Sequence, residues 1–205
     1  MLHAFSNIVL LAQLAVAPTV HAASRVPFDT VVTVPTGSVA LTLESGAAVR
    51  VVGGETRVVH VKVTERGKHC ADCIVSVYHT ANGLEVRTGR TRAYDRVADL
   101  QVELEVPMRT NVTLTSAGGQ VDIEGIDGTV SGTTEFGALN LLRLSGPLLL
   151  ETKRGDVTLR QSYVRGRVHT NAGRVLLEDV GGNVRGTTAR GSVVERRVER
   201  VPTAP

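Results

Sequence analysis

The chain has 205 residues and a formal net charge of +3, with 3% aromatic residues, no tryptophan and 21 glycines. This length suits one domain, and the scarce aromatics and abundant glycine favour thin stacked β-sheets over a helical globule. The few aromatics give no platform for base stacking, which argues against a nucleic-acid-binding protein. The small positive excess favours an anionic partner, and we predict an envelope protein or an anionic polysaccharide or lipid surface as the partner.

Residues 1–22 have the pattern of an export signal. An apolar core at 8–17 precedes Val20-His21-Ala22, which places small residues where signal peptidase reads them, although the leading segment has only His3 and no Lys or Arg. The apolar core is too short for the ~20 residues of a membrane-spanning helix. We therefore predict cleavage after Ala22 and a periplasmic, secreted or cell-envelope protein with no transmembrane segment in the mature chain.

Residues 26–118 predict an irregular series of β-strands. Apolar and polar residues alternate in short runs bounded by Gly or Pro, which indicates half-buried strands. The runs lie at 30–34, 38–43, 48–52, 56–64, 73–80, 84–88, 98–106 and 111–115. Because they lack a fixed spacing, we interpret them as wider opening turns of the sheet that follows, covering its end.

Two polar segments, 65–72 and 89–96, interrupt this half and predict loops. Loops on a rigid sheet are where binding residues concentrate. The candidate binding residues in them are Arg66, Lys68, His69, Arg90, Arg92, Tyr94 and Arg96. The alternative is that both segments are only solvated loops.

Cys70 and Cys73 are the two cysteines, and their spacing permits a disulfide, a metal half-site or a redox motif. A disulfide fits an oxidising compartment, and a thioredoxin-type role would need a helix where this pair leads into a strand. The alternatives are zinc or copper binding with His69 and His79, and redox activity. We predict a structural disulfide, no metal and no cofactor.

A repeat of 18 residues occupies 119–194, marked by Gly119, Gly137, Gly155, Gly173 and Gly191. The third residue of each unit is apolar, namely Val121, Leu139, Val157, Val175 and Val193, and the fifth is Ile123, Leu141, Leu159 and Leu177. This alternation excludes helix, and each unit divides into two strand-and-turn halves of nine. Equivalent residues would stack at roughly the 4.8 Å strand spacing. We predict an all-β, single-domain β-solenoid or β-helix-like stack.

Details of the repeat carry further expectations. The third coil looks out of phase, because Ser162 breaks an apolar column and Gly166 arrives two residues late. A column at Thr134, Thr152 and Thr188 indicates stacked threonines. Asp122 and Glu124 would share one strand face, an arrangement that acid–base chemistry on sugars could use. The next coils would place Asn140 and Leu142, then Thr158 and Arg160, beside them, so no cluster of carboxylates is expected. Residues 195–205 are predicted to form a polar tail, either a last short capping element or a frayed terminus.

The run 102–107, VELEVP, followed by VTLT at 112–115 and the coils GQVDI at 119–123 and GALNL at 137–141, resembles the bacterial putative-adhesin family of unknown function. In that family a V-x-L-x-V-P strand precedes repeats of the form T-x-x-G-x-[VIL]-x-[LIV], as at 152–159 and 188–193. The likeness covers roughly 28–194, whereas the cysteine pair and the third coil depart from it. It implies an exported β-solenoid-like envelope protein with no established activity or catalytic residues.

The sequence therefore predicts a non-enzymatic envelope protein that binds or scaffolds through its strand face and basic loops. The alternatives are a β-helical enzyme acting on acidic polysaccharide, and a redox or metal-handling protein using Cys70 and Cys73.

Overall fold

A computed structural model describes residues 19–25, 27–33, 37–44, 46–66, 73–80, 83–90 and 100–200, with 19–25 and 90 described for the main chain only. The strands are β1 Thr19–Arg25, β2 Phe28–Val32, β3 Ser38–Leu43, β4 Ala48–Gly54, β5 Val59–Glu65, β6 Cys73–Thr80, β7 Gly83–Arg90, β8 Leu100–Pro107, β9 Asn111–Ser116, β10 Val121–Glu124, β11 Val130–Phe136, β12 Leu139–Leu142, β13 Ser145–Arg154, β14 Val157–Ala172, β15 Val175–Arg190 and β16 Val193–Arg200. The all-β prediction is confirmed, and among the described residues no helix is present that could cross a membrane.

The 18-residue repeat appears as parallel strand pairs in which each residue lies beside the one 18 positions later. On one flank Val121 is paired with Leu139, Leu139 with Val157, Val157 with Val175 and Val175 with Val193. On the other flank Val130 is paired with Leu148, and Leu148 with Gly166. Each turn of chain therefore forms one layer, hydrogen-bonded to the next along both flanks.

One hydrophobic core fills the space between the two flanks. The columns at Val121 and Ile123 point inward together with their successors, and all of these are buried up to Leu177. The opposite flank contributes Leu148, Leu150 and Val168. The interior is thin, since a Cβ on Gly186 would lie 2.8 Å from Cγ1 of Val175. Val193 of the last strand is 41% exposed, because no described strand covers that layer.

The repeat glycines mark corners where successive layers come too close for a side chain. At Gly155 φ is +142°, and a Cβ there would lie 2.0 Å from the carbonyl oxygen of Gly137. The same approach joins Gly137 to Gly119 and Gly173 to Gly155. The 18-residue spacing of glycine thus reflects main chain stacked on main chain.

The expectation that the third coil is out of phase is wrong. Ser162 lies beside Val180, and Val164 lies beside both Gly146 and Gly182, so the register continues without insertion. Ser162 is accommodated in the buried column because its Oγ accepts from Leu144 N at 3.0 Å and donates to the Arg160 carbonyl at 2.6 Å. Gly166 is instead required within the strand, where a Cβ would lie 2.0 Å from Leu148 O.

A second corner column has left-handed backbone without depending on glycine. It contains Gly125 at φ 70°, and then Arg143, Gln161, Asp179 and Arg197 at φ 48° to 55°. At the last two corners Arg197 donates to both carboxylate oxygens of Asp179, and this hydrogen bonding lowers the pKa of Asp179. The residue type is free here because the side chains point to solvent.

Replacing Gln161 with glycine should raise the free energy of unfolding by up to about 1 kcal/mol. The left-handed conformation costs an L-residue roughly 1–2 kcal/mol, which glycine avoids, but glycine loses more backbone entropy on folding and this offsets part of the gain. Urea unfolding of both proteins measures the difference. Gln120→Gly, at an exposed position without positive φ, should instead lower stability. Equal effects at the two positions would contradict this account.

The first half continues the same sheet and ends it with antiparallel strands. β3 pairs parallel with β9 and β4 with β10, while β7 and β8 pair parallel with β3 and β4 as a further layer. Beyond that layer β6 lies antiparallel on β7 and β5 antiparallel on β8. β1 and β2 then form the two ends of the strand order.

β1 is an element that the sequence reading missed. It runs antiparallel to β6, with Ala23 beside Ser76 and Arg25 beside Ile74, and it overlaps the predicted cleavage site after Ala22. Removal of residues 1–22 would leave Ala23 to Arg25 paired. Cleavage itself stays a prediction.

Candidate functional site

An open polar groove of about 650 Å³ crosses the outer face of one flank. Its side chains form two lines across β3, β9, β11, β13 and β14. The first line is Thr42, Thr115, Thr133, Glu151 and His169, and the second is Glu44, Ala117, Glu135, Lys153 and Asn171. We call this set the polar groove.

Strand register produces these lines. Thr115 is paired with Thr42 on one side and Thr133 on the other, and Glu151 continues the series between Thr133 and His169. Alternate residues of a strand point to the same face, so the second line lies two residues further along each strand. The groove therefore presents polar groups at intervals of roughly 4.8 Å, the distance between neighbouring strands.

The floor of the polar groove rests on the predicted threonine column. Thr134, Thr152 and Thr188 stack in register, with Thr170 between the last two. Their hydroxyls do not bond to one another but donate to main-chain carbonyls, for example Thr134 to Phe136 O at 3.0 Å and Thr188 to Gly173 O at 3.0 Å. These bonds hold the corners beside the groove in place.

Most charged groups of the polar groove are held by neighbours. Lys153 binds Glu135, and Glu151 accepts from Nη2 of Arg167 at 2.8 Å. His169 contacts Thr187 through Nδ1 at 2.8 Å and Asn171 through Nε2 at 2.9 Å. These contacts hold Lys153 and His169 in place, and they pair the carboxylates of Glu135 and Glu151 with cations on the neighbouring layer.

At the β7 end, the groove borders a contact between a partly buried glutamate and an exposed arginine. Glu85 accepts from Nε of Arg87 at 2.7 Å and from Oγ1 of Thr42 at 3.1 Å. The Arg87 hydrogen bond is the main reason that the pKa of Glu85 lies below its ordinary 4.5, and burial opposes it. Arg87 also lies over the ring of Tyr78, 5.5 Å from its centroid.

Glu85→Gln should make the protein less sensitive to acid. A carboxylate whose pKa is lowered by folding adds stability above its unfolded pKa, and this is lost as the pH falls through the folded value. The free energy of unfolding of the wild type should therefore fall below about pH 4.5 more steeply than that of Glu85→Gln. Urea titrations across the acid range measure both slopes, and parallel slopes would contradict the assignment.

The predicted basic loops are only partly described. Arg66 is exposed just after β5, and Arg90 ends β7 with its main chain beside Cys73. Lys68, His69, Arg92, Tyr94 and Arg96 lie outside the described residues. The role of these seven residues in binding stays a prediction.

Cys73 is buried at the start of β6, and Cys70 lies outside the described residues. The disulfide, metal and redox alternatives for the pair remain predictions. Within the described ranges no group of three or more His, Cys, Asp or Glu side chains could hold a metal ion.

Asp122 and Glu124 are placed as the repeat predicts, and they form no carboxylate cluster. Asn140 and Leu142 lie beside them, followed by Thr158 and Arg160. Asp122 accepts from Nδ2 of Asn140 at 2.7 Å, and Glu124 binds Arg143. Both carboxylates therefore serve contacts between layers.

Sequence reasoning missed the polar groove. Its two lines share positions 18 residues apart but not a residue type, since threonine, glutamate, histidine and asparagine all occur in them. The sequence signal that could have revealed the groove was the alternation along each strand, because residues next to buried positions point to the outer face. A smaller depression of about 410 Å³ on the other flank, lined by Arg50, His60, Lys62, Glu103 and Glu105, has mixed charge and spans fewer layers.

No family model matches the sequence, and no curated protein matches it. Solved structures similar to the chain include a putative cell adhesion protein from Clostridium sporogenes ATCC 15579, at 12% identity and a TM-score of 0.40, covering 83% of this chain and 99% of that one. A putative adhesin from Parabacteroides merdae ATCC 43184 has 12% identity and a TM-score of 0.23, covering 89% and 97%. A putative lipid binding protein from Parabacteroides distasonis ATCC 8503 has 9% identity and a TM-score of 0.27, covering 86% and 97%.

One of these three structures is named a putative adhesin and one a putative cell adhesion protein, which agrees with the name of the family that the sequence resembles. Their TM-scores are too low to establish a common fold, and their identities are too low to transfer a function.

Proposed function

We propose that the chain is an exported, non-enzymatic protein of the cell envelope that binds an extended polysaccharide along the polar groove. In this proposal the parallel 18-residue layers are the coils of a β-solenoid, with the β3–β4 and β7–β8 layers as its first coils. The observation that carries the proposal is the groove itself, a continuous line of polar groups over five neighbouring strands.

The chemistry of the groove suits a repeating polar chain. The groove is half open, and it presents hydroxyl, amide and carboxylate groups in rows between the aliphatic parts of its side chains. The rows lie on a strand framework whose main-chain groups are bonded to the layers on either side, so the donors and acceptors are fixed before binding. Little conformational entropy is then lost at the protein side on association.

A binding role fits the ion pairs of Glu135 and Glu151, two of the three groove carboxylates, better than hydrolysis does. Glu135 and Glu151 each accept from a cation of the neighbouring layer, so neither stands ready as a free acid or base. Glycoside hydrolysis needs two carboxyl groups facing one another across the scissile bond. Turnover of polyuronate by the purified protein would favour the enzyme alternative.

Thr133→Tyr tests the groove. This exposed threonine lies at the middle of the first line, and a tyrosine there would fill the groove while keeping a residue suited to strands. We expect at least tenfold weaker binding of isolated envelope polysaccharide, measured by calorimetry. Thr158→Tyr, on the opposite flank, is the matched control and should bind as the wild type does. Equal affinity of both variants and the wild type would overturn the proposal.

Export is tested separately by expressing the full chain in a bacterial host and measuring the mass of the product in the periplasm or medium. We expect a chain that begins at Ala23. Recovery of the intact chain in the cytoplasm would contradict the predicted export signal.

A further inference from the structure

Most arginines of the repeat are paired with carboxylates, but four are not. Arg143, Arg160, Arg167, Arg174, Arg196, Arg197 and Arg200 each contact an Asp or Glu. Among the described residues from 119 onward, the arginines without a recorded ion pair are Arg154, Arg165, Arg185 and Arg190. Two of these four, Arg154 and Arg190, line a cleft that shares Lys153 and Asn171 with the polar groove.

Two of the four, Arg154 and Arg190, line one cleft. Arg154 is paired with Ala172, and Ala172 is paired with Arg190, so the two arginines are two layers apart, or roughly 10 Å at the usual strand spacing. The cleft measures about 410 Å³ and is lined by Lys153, Arg154, Asn171, Ala172, Ala189 and Arg190. No carboxylate lines it, and the small side chain of Ala172 leaves its centre open.

The cleft is organised to receive an anion. The guanidinium of Arg154 lies over the ring of Phe136, its partner on the side away from Ala172, at 5.6 Å from the ring centroid, and this contact limits its motion. Oδ1 of Asn171 is used by His169, which leaves the amide NH₂ of Asn171 as a donor. Guanidinium groups bind carboxylate and sulfate in a bidentate manner, and this geometry is stronger than a contact to a point charge.

We propose that this arginine cleft binds the carboxylate or sulfate groups of an acidic polysaccharide. The inference rests on the proposed function and names its ligand class. Lys153 and Asn171 line both the cleft and the polar groove, so one chain can lie in the groove and place an acidic group between Arg154 and Arg190. The concave shape favours an extended chain over a bilayer, because a flat surface cannot reach between the two arginines.

Titration of the purified protein with polygalacturonate and with heparin, at low ionic strength, tests the proposal and separates carboxylate from sulfate. Arg154→Gln and Arg190→Gln should each weaken binding of at least one of them about tenfold, and the double variant by more. Arg160→Gln removes the same charge from the opposite flank, where Glu178 keeps two other arginine partners, and should change affinity less than twofold.

Each remaining outcome is decisive. Equal losses in Arg160→Gln and Arg190→Gln would show general electrostatic attraction and overturn the site. Binding to phosphatidylglycerol vesicles but to neither polymer, lost in the double variant, would assign the cleft to lipid and overturn the polysaccharide. If Thr133→Tyr abolishes binding of envelope polysaccharide while the double variant binds it normally, the proposed function stands and this inference fails. No binding of either polymer by the wild type also overturns it.

Discussion

Replacing Gly155 with alanine should lower the free energy of unfolding by at least about 3 kcal/mol. Its φ of +142° is unfavourable for any residue with a Cβ, and that atom would lie 2.0 Å from the Gly137 carbonyl oxygen. The oxygen cannot move away easily. Gly137 N donates to Arg154 O at 3.0 Å, and Gly155 N donates to Ala172 O at 2.9 Å, so both corners are bonded to adjacent layers.

Urea unfolding followed by far-ultraviolet circular dichroism measures this loss. Gly54→Ala is the matched control, because a Cβ at Gly54 would meet no heavy atom within 4 Å and its φ is not in the left-handed region. We expect the control to stay within about 1 kcal/mol of the wild type. If the two variants unfold at the same urea concentration, the corner glycines are not required by close approach of the main chain.

The corner glycines were predictable from the sequence because a physical constraint selects one residue type. Only glycine fits where layers touch, so the constraint appears as a spacing of 18. The second corner column has the same spacing, but its side chains point outward, and Arg143, Gln161, Asp179 and Arg197 share no identity. A column that tolerates any exposed residue leaves no compositional signal.

In the third coil the sequence misleads in the opposite way, because a glycine there is mistaken for a corner. Gly166 looks like a displaced corner, yet it belongs to a strand where Leu148 approaches closely, while Val164 occupies the position that Gly146 and Gly182 hold in the neighbouring coils. Glycine thus has two uses in this fold, and spacing alone does not separate them. Ser162 adds to the ambiguity, since a buried hydroxyl can replace an apolar residue when its hydrogen bonds are satisfied.

The first half was predictable strand by strand but not in its order. β3 lies between β7 and β9, so a strand later in the chain forms an outer layer before the regular coils begin. Periodicity reports which residues point inward, whereas pairing between distant strands depends on which edges remain free once the core has formed. The groove and the arginine cleft share this limit, because their residues meet only after the layers are stacked.

Leu159→Ala should cost about 3 kcal/mol of unfolding free energy, within the 2–5 kcal/mol typical of buried leucine. Leu159 is fully buried and lies in register between Leu141 and Leu177. The cavity should close only partly, because each neighbouring strand is hydrogen-bonded on both sides and cannot shift inward without breaking pairs. Leu149→Ala, at a residue that is 48% exposed on β13, is the control and should change stability by less than about 1 kcal/mol. Chemical denaturation of the two variants compares them directly. A loss at Leu159 no larger than that at Leu149 would mean that the inward columns do not form a close-packed core, and the layered arrangement that positions both the groove and the cleft would have to be abandoned.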